Sequence, residues 1–538
     1  MPQQEGQSAG IESESQDMFP VCRSLMGSKT WGRITENTGS LGRTPEIVAK
    51  TLQDMSETML FPEYLPEVAR VECMRWQARE SADLIPSEPD HYILNPTLDL
   101  IQTQWKVSQL FNDVPSRSPV VPVEGEEWVI TWYDPEKGEA FVRQATEEEL
   151  FVIKILAEDI TIDSAADISN LRPGKVYQAV RACVDKGLVI GPPSSIRRTS
   201  SFAATTPPAD LESPKQFVLQ WHITHACDLH CKHCYDRSKR SPLTAEQGIK
   251  VLDDLSEFCR SKNVRGVVCF SGGNPFMYPH FEYLYSAAVE RGFATSILGN
   301  PVSRKEISRI NDIHPPAYYQ VSLEGLPEHN DSIRGTGNFA GVIEFLGVLR
   351  DLNISSAVML TLTSENIDQV LPLAYRLRGH TDHFTFNRLA PVGEGANLLL
   401  PDAEKYRAFA DEYVNQLGDN PLLACKDNLL NVARYEQDMS LFDGCTGFGC
   451  GAAFNFLALL PDGEVHACRK FPSPLGNVFE KTLQEIYDCD LATRYREGSQ
   501  ACTDCAMKYR CGGCMAVVHG TGGDVFENRD PMCCVAEV

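Results

Sequence analysis

The chain has 538 residues, of which 43% are hydrophobic and 23% charged, and it carries a net charge of −24 at neutral pH. That length supports more than one hydrophobic core, so several domains are expected. So negative a charge disfavours nucleic acid, whose phosphates it would repel, and no apolar run approaches the roughly 18 residues a membrane helix needs, so neither is expected as a partner.

The N-terminus, Met1-Pro-Gln-Gln-Glu-Gly-Gln-Ser8, has no basic segment leading into an apolar one. A signal peptide is therefore not expected, and a cytoplasmic location is. Residues 1–17 carry four acids and no bases and read as a disordered tail. Residues 18–120 read as a helical region. Thr44 caps a helix opened by Pro45, with Val48, Leu52 and Met55 on one face, and a second helix follows Pro66. Residues 121–196 read as a winged-helix-like module. Trp128, Ile130 and Trp132 alternate into a turn at 134–138, and residues 140–142 return as a second strand. Thr146 and Glu149 form a capping box, Val176, Val180 and Cys183 share a helical face, and Gly187 precedes a closing strand. Residues 197–215, rich in Ser, Thr and Pro, read as a linker.

From residue 216 to about 400 strands and helices alternate. The expected strands are 217–224, 266–271, 294–299, 318–324, 358–363 and 383–387. Six such units imply a parallel sheet closing towards a barrel, an α/β architecture whose active site lies at the strand C-termini. Residues 401–538 lose the alternation and read as a loop-rich domain.

Eleven of the nineteen cysteines form two spaced arrays. The first is Cys227-x3-Cys231-x2-Cys234, at the end of the first strand of the alternation. Three thiolates leave a four-iron cluster one iron short of a protein ligand, where a cofactor can bind. Zinc, the plainer reading, usually takes four closed ligands. Gly272-Gly-Asn-Pro275 follows the second strand. The second array comprises Cys445, Cys450 and Cys468, then Cys502-x2-Cys505-x5-Cys511-x2-Cys514, and ends with Cys533 or Cys534. Eight thiolates can close two clusters, with paired zinc ribbons as the plainer reading. His222, His225, His230 and His233 flank the first array and are expected to support or surround it. Cys22, Cys73, Cys183, Cys259, Cys269, Cys425 and Cys489 fall outside both arrays and are expected as buried thiols, since a reducing cytosol disfavours disulfides.

The first cysteine loop and the Gly-Gly loop resemble those of the radical S-adenosylmethionine (SAM) superfamily. The resemblance implies that Cys227, Cys231 and Cys234 hold a [4Fe–4S] cluster whose open iron binds SAM. Cleavage of SAM then yields a 5′-deoxyadenosyl radical that abstracts a substrate hydrogen. Gly272, Gly273, Asn274 and Pro275 resemble the Gly-Gly-Glu-Pro motif that binds the SAM amino group, with Asn274 in place of glutamate. Ser322-Leu-Glu-Gly325 and Arg334-Gly335 resemble the Ser-Leu-Asp-Gly…Arg-Gly stretch, which implies Ser322 at the SAM ribose and Arg334 at its carboxylate. The second array resembles the SPASM auxiliary-cluster domain, although the gap from Cys511 to Cys514 is one residue shorter. That implies one cluster on Cys445, Cys450, Cys468 and Cys514, and another on Cys502, Cys505, Cys511 and Cys533, with Cys534 competing for the last place. Arg469 and Lys470 stand where sulfatase-maturing relatives keep an acidic base.

The 121–196 module resembles the PqqD-like domain that grips a leader peptide. Residues 216–538 resemble the thio(seleno)oxazole-modification maturases, also called selenobiotic-peptide maturases, at 221–235, 325–330, 384–388, 393–397 and 450–456. These resemblances imply a partial (β/α)6 radical SAM barrel over 216–400 and a SPASM domain over 401–538. They imply an oxidoreductase acting on a ribosomally made precursor peptide at cysteine or selenocysteine, with a reductant such as flavodoxin or ferredoxin. A thioether-forming or sulfatase-maturing enzyme and a non-catalytic iron–sulfur electron carrier are the other readings, together with a peptide-binding adaptor.

Overall fold

The computed structural model describes residues 18–27, 30–31, 45–56, 62–111 and 121–535. The expected tail and the Thr44 cap lie outside them. The chain divides into two units, 1–193 and 194–538.

In the first unit the helices α1 (Pro20–Met26), α2 (Pro45–Ser56) and α3 (Leu65–Glu80) precede the strands β1 (Ile93–Leu94), β2 (Asp99–Trp105), β3 (Glu124–Asp134) and β4 (Glu139–Gln144). Alternation along β3 buries both of its faces. Val129, with Ile101 and Val142, packs against Val68, Val71 and Met74 of α3. Ile130 and Trp132 face the other way, onto a core shared by α4 (Glu147–Ala157), α5 (Ile162–Ser169) and α6 (Pro173–Asp185). The capping box forms as expected, Thr146 N donating to the Glu149 carboxylate at 2.9 Å. Two features differ from expectation. The sheet has three strands, in the order β2-β3-β4, and the closing strand β5 (Val189–Ile190) pairs antiparallel with β1. The module therefore draws in residues 93–105, from a region expected to be helical. Their strand character comes from pairing, with Leu100 opposite Ile130 and Ile101 opposite Val129.

In the second unit, β6 (Gln216–Thr224), β7 (Arg265–Gly272), β8 (Ala294–Leu298), β9 (Tyr319–Ser322), β10 (Ser356–Leu362) and β11 (His383–Arg388) lie side by side in chain order, all parallel. Helices α7 (Ala245–Lys262), α8 (Phe281–Glu290), α9 (Arg304–Ile313), α10 (Pro327–Arg334), α11 (Asn338–Asp351) and α12 (Val370–Arg376) occupy the connections. This is the expected run of six β/α units. Trp221, Phe270, Ile297, Leu360 and Phe386 are buried along its strands, as strands covered by helices require. On the far side of β6 the sheet continues with β12 (Phe456–Leu459), parallel to β6, then β13 (Glu464–His466) and β14 (Pro474–Asn477), both antiparallel. The C-terminal region thus extends the barrel's own sheet. Its short helices are α13 (Ala403–Asn415), α14 (Leu430–Glu436), α15 (Leu483–Tyr487), α16 (Asp490–Glu497) and α17 (Met515–Gly520).

The segment 197–215, expected as a linker, is a packed strap. Arg198 stacks between Phe202 and Phe454, 4.3 and 3.9 Å from their ring centroids. Phe202 meets Tyr509 edge-on at 5.0 Å, and Ala204 N donates to Thr503 O at 3.0 Å. Its apolar and cationic residues act through partners about 250–300 positions away in sequence, which local composition does not show.

Candidate functional site

The first cysteine loop leaves the sheet where the β6–β7 register slips, between His222 and Thr224. The Gly-Gly loop closes beneath it. Gly273 N donates to Thr224 O and Asn274 N to Ala226 O, both at 2.8 Å. A Cβ on Gly272 would lie 2.1 Å from Thr224 O, and one on Gly273 2.1 Å from Ala226 O. No side chain fits at either position, so the two loops touch through backbone alone. Gly393, after β11, backs the third cysteine in the same way: its φ is +56°, and a Cβ there would meet Tyr235 O at 2.4 Å.

Cys227, Cys231 and Cys234 line a cavity of about 340 Å³ at the C-terminal ends of the strands, together with Gly272, Gly273, Ser322 and Arg334. Arg334 Nη1 lies 3.7 Å from Cys231 Sγ, and Asn300 Nδ2 lies 3.5 Å from Cys227 Sγ. Burial raises the Cys231 and Cys234 thiols above their ordinary range. Holding them as thiolates calls for a cationic centre at the loop, which iron supplies. This donor set fits a cluster with one open iron.

The polar residues around the cavity are partnered in ways the sequence does not show. Asn274 does not line the cavity. Its Nδ2 donates to Asp228 Oδ1 at 3.1 Å, a carboxylate shared with Asn300 at 2.7 Å. The residue in place of the motif's glutamate thus braces the cysteine loop. Pro275, also outside the cavity lining, is buried at the start of the turn that follows. Arg334, expected to face the SAM carboxylate, pairs with Glu324 through Nε at 2.8 Å and Nη2 at 2.5 Å, which leaves Nη1 towards Cys231. Burial alone would raise the Glu324 carboxyl, but His233 and Arg334 beside it hold it at about 2. His233 Nε2 is 3.3 Å from Glu324, His225 pairs with Asp236, and His230 with Arg237. His222 is buried against Tyr235, and that burial lowers it to about 3, so it is neutral.

In the second array the thiols bear on one another in two groups. The thiols that bear on Cys450 are Cys468, Cys514 and Cys445, and burial pushes Cys450 itself up to about 12. Those bearing on Cys502 are Cys533 and Cys505, and Cys511 also faces both. Cys534 bears on Cys533 and also lines a small cavity with Tyr406 and Arg407. Among the described residues no three His, Cys, Asp or Glu side chains converge on one metal-ion position. A four-iron cube needs no such point, because its thiolates sit at separate corners.

Buried polar side chains hold these groups, and no motif announced them. Asn428 donates to Cys511 O at 2.6 Å and Gly513 O at 2.7 Å, and accepts from Cys445 N at 2.6 Å, so one amide touches both groups. Asp530 accepts from Cys514 N at 2.9 Å and from both Nη atoms of Arg388 at 2.7 Å. Arg388, at the end of β11, also reaches Asp427 at 2.8 Å. Arg198 of the strap donates to Cys450 O at 2.8 Å and Phe448 O at 3.1 Å, and also to Arg496 O. Arg469 and Lys470, immediately after Cys468, line the same cavity as the first cysteine loop.

Residues 221–374 match the radical SAM superfamily, and residues 450–512 match SPASM, an iron–sulfur cluster-binding domain. The chain is 27% identical over 338 residues to the antilisterial bacteriocin subtilosin biosynthesis protein AlbA of Bacillus subtilis, covering 59% of this chain and 71% of that one. It is 29% identical over 344 residues to the mycofactocin maturase MftC of Mycolicibacterium smegmatis, covering 60% and 83%. Identity to the Fe-coproporphyrin III synthase of Methanosarcina barkeri is 26% over 361 residues, covering 59% and 88%. Among solved structures, Streptococcus suis SuiB bound to S-adenosylmethionine aligns with a TM-score of 0.48 at 18% identity, over 76% of this chain and 97% of that one.

Proposed function

The chain is a radical SAM enzyme that carries a SPASM iron–sulfur domain, and we propose that it matures a ribosomally made precursor peptide by oxidising it at cysteine or selenocysteine. Its cofactors are [4Fe–4S] clusters and S-adenosylmethionine. One observation carries the reading. The three thiols of the first loop share a single cavity with Arg469 and Lys470, the residues that follow Cys468 of the second array. In this reading the hydrogen-abstracting centre and the loop that follows Cys468 face one substrate space, which suits an oxidation.

When bound, the SAM-loaded cluster supplies a 5′-deoxyadenosyl radical on one-electron reduction. In this reading Cys227, Cys231 and Cys234 hold that cluster and the Gly272-Gly273 backbone forms its floor. Glu324 fixes Arg334, whose remaining Nη1 faces the first loop, and Ser322 lines the cavity beside it. Cys445, Cys450, Cys468 and Cys514 would hold one auxiliary cluster, and Cys502, Cys505, Cys511 and Cys533 the other. His222, kept neutral by burial, adds no charge to the cavity it lines.

A peptide substrate is supported by the relatives named for subtilosin biosynthesis and mycofactocin maturation. It is supported also by the first unit, where β4 is an edge strand that can take a leader peptide as an added strand. A flavodoxin or ferredoxin in the cytoplasm would supply electrons. No helix among the described residues is long and apolar enough to cross a membrane.

The test is anaerobic reconstitution with SAM and dithionite, together with mass spectrometry of a small peptide encoded beside the gene and co-expressed. We expect 5′-deoxyadenosine and a peptide lighter by pairs of hydrogens. Iron-replete protein that forms no 5′-deoxyadenosine would refute the reading and favour an electron carrier. The identity to Fe-coproporphyrin III synthase supports a second reading, a tetrapyrrole substrate. A mass change in a tetrapyrrole, with the peptide untouched, would select it.

A further inference from the structure

Most charges around the cavity are matched. Arg334 pairs with Glu324, Arg388 with Asp427 and Asp530, and His225 with Asp236. Arg469 and Lys470 differ: their hydrogen bonds go to neutral groups. Arg469 Nη1 donates to the amide oxygen of Gln220, on β6, at 2.7 Å. Lys470 Nζ donates to the main-chain oxygen of Arg388, on β11, at 3.0 Å. Among the described residues neither forms an ion pair with a carboxylate. The ionisable groups bearing most on Arg469 are Tyr235, Cys468, Cys445 and Cys269. Cys468 and Cys445 are spoken for as iron ligands, and burial keeps Tyr235 a neutral phenol.

The two side chains are consecutive, yet they reach the first and the last of the six parallel strands. Their loop therefore bridges β6 and β11 and lines the same cavity as the first cysteine loop. Gln220 Nε2, beside Arg469, is buried without a hydrogen-bond partner. Both side chains are part-exposed on the cavity and have no carboxylate partner, so an anionic group of a ligand there would meet two cations. The guanidinium of Arg469 stays protonated and cannot act as a base.

We propose that Arg469 and Lys470 bind a small anionic group of the substrate, a carboxylate or a thiolate or selenolate, and so select a negatively charged residue at the reacting position. This rests on the peptide-maturase reading. A thiol held there enters already deprotonated, because two cations favour its thiolate, and the site then needs no protein base where sulfatase-maturing enzymes have one.

The experiment uses reconstituted, SAM-loaded holoenzyme without reductant. Binding of acetyl-Gly-Cys-Gly-amide, acetyl-Gly-Asp-Gly-amide and acetyl-Gly-Asn-Gly-amide is measured by saturation-transfer NMR in the wild type and in Arg469→Gln, Arg469→Lys and Lys470→Gln. At least one of the two anionic peptides should bind about tenfold more tightly than the Asn peptide, as a desolvated charge contact allows. Which one does so distinguishes thiolate from carboxylate. The preference should fall in Arg469→Gln and Lys470→Gln and survive in Arg469→Lys, each at full iron content. Equal binding of all three peptides by the wild type overturns the proposal. So does a preference unchanged in Arg469→Gln and Lys470→Gln, even if the reduction potential of the auxiliary iron shifts, because Arg469 would then serve the cluster. Wild-type enzyme that cleaves SAM yet shows no anion preference sinks this inference alone. Absence of SAM cleavage sinks the maturase reading instead.

Discussion

The two cysteine regions are built on opposite plans. The first loop rests on a flush backbone contact, where Gly272 and Gly273 meet Thr224 O and Ala226 O with no room for a side chain, with Asn274 and Asn300 bracing it at Asp228, and Cys227 stays exposed. The second array is gripped by buried polar side chains. Asn428, Asp530 and Arg198 hold the main chain around Cys445, Cys511, Cys514 and Cys450, and Cys511 is buried. Support from one side leaves a site that admits a cofactor, whereas support from several sides encloses one. In the proposed reading SAM binds at the first centre and the others pass electrons, and each plan suits its part.

That contrast can be broken by substitution. Replacing Cys227, Cys231 and Cys234 by Ala should abolish 5′-deoxyadenosine formation and remove about four of about twelve irons, as read by chromatography and iron analysis. Loss of all the iron would show that the regions are not independent. Asp530→Asn leaves Arg388 half-compensated in a buried site, which should cost about 3–5 kcal/mol of stability. Denaturant unfolding should show it, with iron lost first from the second array. Gly273→Ala should cost about 1–3 kcal/mol as an overpacked contact. Its readout is SAM affinity by calorimetry, with auxiliary-cluster spectra unchanged. Arg198→Lys exchanges a planar fork that reaches three carbonyls for a single ammonium. It should cost about 1 kcal/mol, visible as altered spectra of the cluster assigned to Cys450 while SAM binding holds.

Much of the second unit was legible because its signals are local. The six parallel strands begin and end within about two residues of their expected positions, since buried strands bounded by turns announce themselves. The grouping of the second array into two sets of four came from the family resemblance, and the thiols that bear on Cys502 are Cys533 and Cys505, with Cys534 beside Cys533. What stayed hidden acts at long range. The Arg388–Asp530 pair joins residues 142 positions apart, and the Arg198 contact with Cys450 spans 252. A Ser/Thr/Pro-rich segment resembles a linker until its arginine finds two aromatic rings. Strand β2 was missed because its sequence alternates weakly and its partner supplies the pattern. Glu324 and Asn274 were noticed only as departures from a motif, and their partners His233, Arg334 and Asp228 give each a structural role.

The flush contact under the first cysteine loop also bears on how such a site can change over generations. A position that refuses every side chain offers selection no gradation, since it either keeps glycine or loses the contact. Adjustment of cofactor handling must therefore occur at neighbours that tolerate alternatives. Asn274 and Glu324, where this chain departs from the usual motif, are two such neighbours. The backbone contact supplies constancy, and the side chains around it supply the room for divergence.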